Sequence, residues 1–184
     1  MTAAPPFDPR IIANLLLEVA DEQQRPVTNL ALQKLLYFAH ALFLVETGKP
    51  LVSGTFEAWQ YGPVHPLVYR TFQDAGDQPI RSRAYRRDFL TGRESALPAS
   101  RDPAIRDLCL RIMTSYGRMT AGRLVEISHA KNAPWHFIVN KAKTSVALGL
   151  RIPDNVIIER FRHHKVSVGA EPTLGEPSED TPIA

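Results

Sequence analysis

Apolar positions recur along most of the chain at the spacing of one helical face, and proline and glycine punctuate the repeats. Asp8-Pro9 opens the first such stretch as an acidic cap followed by a proline that lacks the N–H a first turn leaves unused. Ile11, Ile12, Leu15, Leu16 and Val19 then line one face until Arg25-Pro26 forbids continuation, which predicts a helix over residues 9–22. Thr28-Asn29 caps a second helix of about 18 residues with Leu32, Leu35, Leu36, Ala39, Leu42 and Phe43 on its apolar face, stopped by Gly48 and Pro50. Pro66 starts a third, with Leu67, Val68, Tyr69 and Phe72 before Gly76. Asp102-Pro103 repeats the opening signal ahead of Ile105, Leu108, Cys109, Ile112 and Tyr116, closed by Gly117. Thr120 caps a fifth, with Leu124, Val125 and Ile127, running to His129 before Pro134. A short last helix follows Pro153-Asp154, through Val156, Ile157, Arg160 and Phe161.

The connecting segments read differently. Thr55 to Trp59 alternates and carries strand-favouring residues, which predicts a short strand broken by Gly62-Pro63. Residues 77–100 lack a sustained period and contain Pro79, Gly92 and Pro98, so a loop with one helical turn around Tyr85 to Phe89 is expected. Trp135 to Ile138 is expected to pack back on the core, ahead of a polar link from Lys141 to Arg151. The expected architecture is mainly α: a single compact domain of about six helices with a short extended β segment over residues 1–166. Residues 167–184, rich in Pro, Gly, Glu and Ser, are expected to form a disordered acidic tail, because so little apolar surface cannot offset the entropy of ordering.

At 184 residues and 44% hydrophobic content, the chain suits one core. A formal charge of +3 is too balanced for wholesale nucleic-acid binding, but its distribution is uneven. Arg81, Arg83, Arg86, Arg87 and Arg93 cluster against the single acid Asp88, whereas Glu171, Glu176, Glu179 and Asp180 follow Lys165 with no further base. The longest purely apolar runs fall far short of the roughly 20 residues a bilayer span needs, and the first residues lack the basic and apolar parts of a secretory signal. A cytoplasmic protein without a membrane partner is expected. Cys109, the only cysteine, cannot form an internal disulfide.

Catalytic signatures are missing: there is no Gly-x-Ser-x-Gly elbow, no phosphate-cradling Gly-x-x-x-x-Gly-Lys loop and no Gly-x-Gly-x-x-Gly turn. No enzyme activity and no cofactor are therefore expected. Six histidines offer no metal-ligand spacing, since Pro134 interrupts His129 and His136, and adjacent His163 and His164 diverge on a helix. His129 instead caps backbone carbonyls or orders its corner. Two segments fit partner binding. Trp59, Tyr61, Gly62 and Pro63 either form a rigid aromatic knob for an interface or plug the core beside Phe38. Arg83, Arg86 and Arg87, interleaved with Tyr85 and Phe89, are either a solvated face, a seat for an acidic protein surface, or a nucleic-acid contact.

Three motifs stand in a characteristic order: Thr28-Asn-Leu-Ala-Leu-Gln-Lys-Leu-Leu-Tyr-Phe-Ala-His-Ala41, Phe56-Glu-Ala-Trp-Gln-Tyr-Gly-Pro-Val64, and Thr120 to Trp135 with Ser128-His129 and Pro134-Trp135. Together they resemble the Panacea-domain family of bacterial antitoxins over about residues 9–162. Gln33, Lys34 and Tyr37 in the first motif, and His129 and Trp135 in the last, carry the resemblance as structural positions. The family brings no established catalytic set. What the resemblance implies is a toxin–antitoxin system in which this chain binds a cognate toxin, with delivery to the ClpXP protease (ClpX with ClpP) as the favoured mechanism. A nucleic-acid-binding regulator using the Arg81–Arg93 segment is the alternative, and nucleic acid is the less expected partner. The tail is either dispensable or a flexible tether for a second partner.

Overall fold

The structure, a computed structural model, describes residues 4–88, 90–98, 100, 102–142 and 150–162. Their order is α1 (Pro9–Glu22), α2 (Asn29–Thr47), β1 (Phe56–Trp59), β2 (Gly62–Val64), α3 (Pro66–Phe72) with a 3-10 turn (Gln73–Ala75), β3 (Tyr85–Arg87), β4 (Glu94–Ala96), α4 (Pro103–Tyr116), α5 (Ala121–Ser128), α6 (Pro134–Ala142), β5 (Arg151–Ile152) and α7 (Asp154–Phe161). The expected mainly helical domain with a small β element is what folds, with seven α-helices among the described residues. The expected tail and the His163-His164 pair lie outside those residues.

Helix starts follow their caps. The Asp8 carboxylate accepts from the Arg10 N–H at 2.9 Å, Thr28 Oγ1 from Ala31 N–H at 3.3 Å, Asp102 from Ala104 N–H at 2.9 Å and Thr120 Oγ1 from Arg123 N–H at 3.2 Å. Gly48 ends α2 in the left-handed conformation at φ +71°, donating its N–H to Leu44 O. α2 is the axis of the domain, packed by α1, α3, α4, α5, α7 and β2. Thirteen of its nineteen residues are buried, so it is an all-round core helix and not the one-stripe helix its apolar period suggests. The same composition makes α2 long and apolar enough to cross a membrane, yet most of that window is enclosed by the other helices. A ring cluster fills one side: Tyr37 meets Phe56 at 5.4 Å and Phe161 at 6.2 Å edge-on, and Phe38 stacks on Tyr116 at 4.5 Å.

Three expectations are corrected. Gly62-Pro63 does not end the extended segment: the chain reverses at Gln60-Tyr61, and β2 returns antiparallel to β1 with Ala58 opposite Pro63. The sheet order β2-β1-β5 leaves β2 at an edge, where the missing proline N–H is tolerated. Tyr85 to Arg87 is not a helical turn but a strand paired with β4, with Arg86 opposite Ser95. Its reversal is local, because Asp88 accepts from the N–H groups of Leu90 (3.0 Å) and Thr91 (2.7 Å) and Gly92 takes φ +66°. Finally, Pro134 begins α6 instead of only closing α5, so the expected polar link is helical as far as Ala142.

Candidate partner-binding site

The motif residues converge on a buried corner. Lys34 is fully enclosed, and its Nζ donates to Pro63 O at 3.1 Å. One residue earlier on α2, Gln33 accepts the His65 N–H at 3.0 Å through Oε1 and donates to Asn29 Oδ1, one turn back, at 3.0 Å. Both side chains thus hold the β2 strand against α2 by backbone atoms with no other strand beside them. From the other side, α5 and α6 close the corner: Ser128 Oγ donates to Val125 O at 2.8 Å, the His129 ring stacks on Trp135 at 3.6 Å, and Trp135 Nε1 donates to Trp59 O at 2.8 Å. A β-carbon on Gly62 would lie 2.5 Å from Ser128 Oγ and 2.9 Å from Lys34 Cε, so the corner closes around a residue without one.

The aromatic candidates sit inside this corner. Trp59 is 9% exposed, meets Tyr69 edge-on at 4.8 Å and donates Nε1 to Glu57 Oε2 at 2.8 Å. It lies against Tyr69, while Phe38 stacks on Tyr116 and also meets Tyr37 and Phe161. Gly62 and Pro63 are buried and Tyr61 is half-buried. Tyr37 is enclosed with its hydroxyl unpaired, and burial pushes its pKa upward, so it fills the core as a neutral ring. Burial likewise pushes the Cys109 thiol up to about 12, leaving no thiolate at neutral pH. Among the described residues no three His, Cys, Asp or Glu side chains gather as a metal site.

The arginine candidates occupy a different face. Arg86 and Arg87 lie on exposed β3, and Arg83 precedes it in an ion pair with Asp21 on α1. Between this hairpin and α3 runs an open groove of about 1000 Å³. Arg70 of α3 and Arg10 of α1 join Arg83, Arg86 and Arg87 along it, against Asp74 and Asp88. Arg10 is held by Asp8 at 2.6 Å, whereas Arg70, Arg86 and Arg87 form no salt bridge with another described residue. Leu67 and Tyr85, 37% and 48% exposed, supply apolar surface on its rim. Arg10 and Arg70 escape sequence reasoning because only the fold brings α1 and α3 to the hairpin.

Comparison with known proteins bears on both regions. Residues 32–136 match the family model described as Antitoxin SocA-like, Panacea domain, a span from α2 through the corner and the hairpin to α6. Antitoxin SocA of Caulobacter vibrioides (strain NA1000 / CB15N) is 50% identical over 175 residues, covering 95% of this chain and 93% of that protein. The chain belongs to the SocA-like Panacea-domain antitoxin family. No solved structure is matched.

In this SocA-like chain the corner makes stability depend on pH. Desolvation first, then the Lys34 ammonium and His136, hold the His129 imidazole down at about 4, and desolvation also lowers His65. Both rings are neutral when folded, while the same residues in the unfolded chain protonate near the usual pH of about 6.5. A depressed histidine contributes stability that is present above the unfolded value and lost as pH falls from there toward the folded one. The urea midpoint is expected to hold between pH 8 and 7 and to fall steadily from about 6.5 toward 4. An unchanged midpoint at pH 5.5 would show that the rings are not desolvated.

Proposed function

We propose that this antitoxin neutralises a cognate toxin by direct protein association in the cytoplasm, without chemistry of its own, and delivers it to ClpXP for degradation. The observation that carries the reading is 50% identity over 95% of the chain to a protein named as an antitoxin. The arginine groove supports association as the mode: it is open, carries three arginines that form no salt bridge with another described residue, and has apolar rim residues that a partner can desolvate. Asp74 and Asp88 interrupt its positive lining, which suits a protein with matched charges better than a continuous phosphate track.

Co-expression with the product of the adjacent reading frame tests the reading. Restored growth with falling toxin levels is the expected result. Restored growth at constant levels removes the protease step, and continued growth arrest removes the antitoxin function. The acidic tail is assigned to the delivery step as a tether that raises the local concentration of the bound toxin at the protease. Deleting residues 167–184 is expected to leave toxin retention in a pull-down intact and to slow toxin loss in a ClpXP degradation assay. Degradation at the full-length rate would exclude the tether.

A further inference from the structure

β3 carries a hydrogen-bonding edge that no other described strand occupies. In an antiparallel pair, residues alternate between those bonded to the partner strand and those whose N–H and C=O point away from it. Asp88 donates to Arg93 O at 2.9 Å, so Asp88 faces β4, and two residues back so does Arg86, opposite Ser95. Tyr85 and Arg87 therefore turn their backbone groups to the open side. That side is the arginine groove, since Arg10, which lines it, donates Nη1 to Tyr85 O at 3.4 Å. Among the described residues, β4 is the one strand paired with β3. An exposed strand edge is a template for a further strand.

We propose that this groove takes an extended acidic segment of the toxin as an added strand along β3, its carboxylates meeting Arg70, Arg86 and Arg87. The assignment rests on the antitoxin reading above and names the site and the chemistry of what it binds. β3 offers roughly 10 Å of edge over Tyr85–Arg87, enough to register about three residues of an added strand, and the groove lining continues from Ser82 to Asp88. Alternate side chains of that strand fall beside Tyr85 and Arg87 on one face and Arg86 on the other. Arginine forks bind carboxylates bidentately, and Phe72 and Ala84 give the groove a buried apolar floor.

The charge identifies the occupant as acidic, and the sequence disfavours the two occupants this chain itself provides. Its acidic tail has Pro172, Pro177 and Pro182, leaving four residues at most between prolines that lack the N–H a ladder requires. A second copy pairing edge to edge brings Arg86 and Arg87 against the same arginines.

The full chain should bind a fluorescein-labelled eight-residue peptide with adjacent glutamates, Val-Glu-Glu-Val-Glu-Glu-Val-Thr, which places carboxylates on both faces of the added strand, with affinity falling as salt rises. Two changes should each weaken binding at least tenfold: Arg86→Glu with Arg87→Glu, and N-methylation of alternate residues of the peptide. Circular dichroism should show the double variant folded, since both side chains are exposed. Equal binding of the methylated peptide overturns the added strand, and tenfold tighter binding after deletion of residues 167–184 assigns the groove to the tail instead. In a pull-down with the protein from the adjacent frame, the double variant should lose it. Retention at the wild-type level overturns this groove while leaving the antitoxin reading intact, whereas failure of the wild type to retain the protein overturns the antitoxin reading itself.

Discussion

Replacing Gly62 by alanine is expected to destabilise the fold by roughly 2–5 kcal/mol, combining backbone strain with overpacking. Gly62 sits at φ +100°, where an L side chain is strained in any surroundings. The new methyl would also meet Ser128 Oγ at 2.5 Å, Lys34 Cε at 2.9 Å and His129 Nε2 at 3.4 Å. None of these can step aside freely: Ser128 and Lys34 are buried, and each is held to a backbone carbonyl. For a domain of this size the melting temperature should fall by roughly 5–15 °C. Gly48→Ala is the control, because φ is +71° there but nothing lies within 4 Å of the added carbon. It should cost about 1–2 kcal/mol from conformation alone. Equal losses in the two variants would show that the corner yields and that crowding contributes nothing.

How much of this arrangement the sequence displays depends on where each determinant lies. α1 and α4 are legible because cap, proline and period sit within one segment, and the Asp-Pro pairs open both helices where expected. α2 is legible in extent but not in environment. Gln33, Lys34 and His40 look like its polar face, yet their partners are His65, Pro63, Val52 and Asp154, remote in sequence. The β1–β2 reversal is hidden because Gly-Pro ordinarily stops a strand, and only an edge position permits it here. The β3–β4 hairpin has no apolar alternation, since all six residues are exposed, and its signal is turn chemistry in Asp88, Thr91 and Gly92. The same logic divides the candidate site: Arg83, Arg86 and Arg87 announce themselves as a cluster, while Arg10 and Arg70 become part of the groove only through packing.

Lys34→Ala is expected to destabilise by about 2–5 kcal/mol, as expected for deleting a buried long side chain. Lys34→Met separates the two contributions of this residue. Methionine keeps the volume that packs under Gly62 but cannot donate to the Pro63 carbonyl, which is worth about 1–3 kcal/mol when left unpaired. Against that loss, the methionine variant no longer desolvates an ammonium, so it should lie closer to the wild type than alanine does. The His129 imidazole provides an independent reading of the same charge. The Lys34 ammonium is the second contributor, after desolvation, to the depression of its pKa to about 4. Removing the charge moves the folded value back up toward the unfolded one, which shrinks the stability lost on acidification. An NMR titration of the His129 ring should therefore show an upward shift in the methionine variant, and its urea midpoint should fall less between pH 7 and 4.5. A methionine variant as unstable as alanine, with an unmoved His129 titration, would mean that the donor to Pro63 is the whole of Lys34's contribution and that its charge does not reach the histidine.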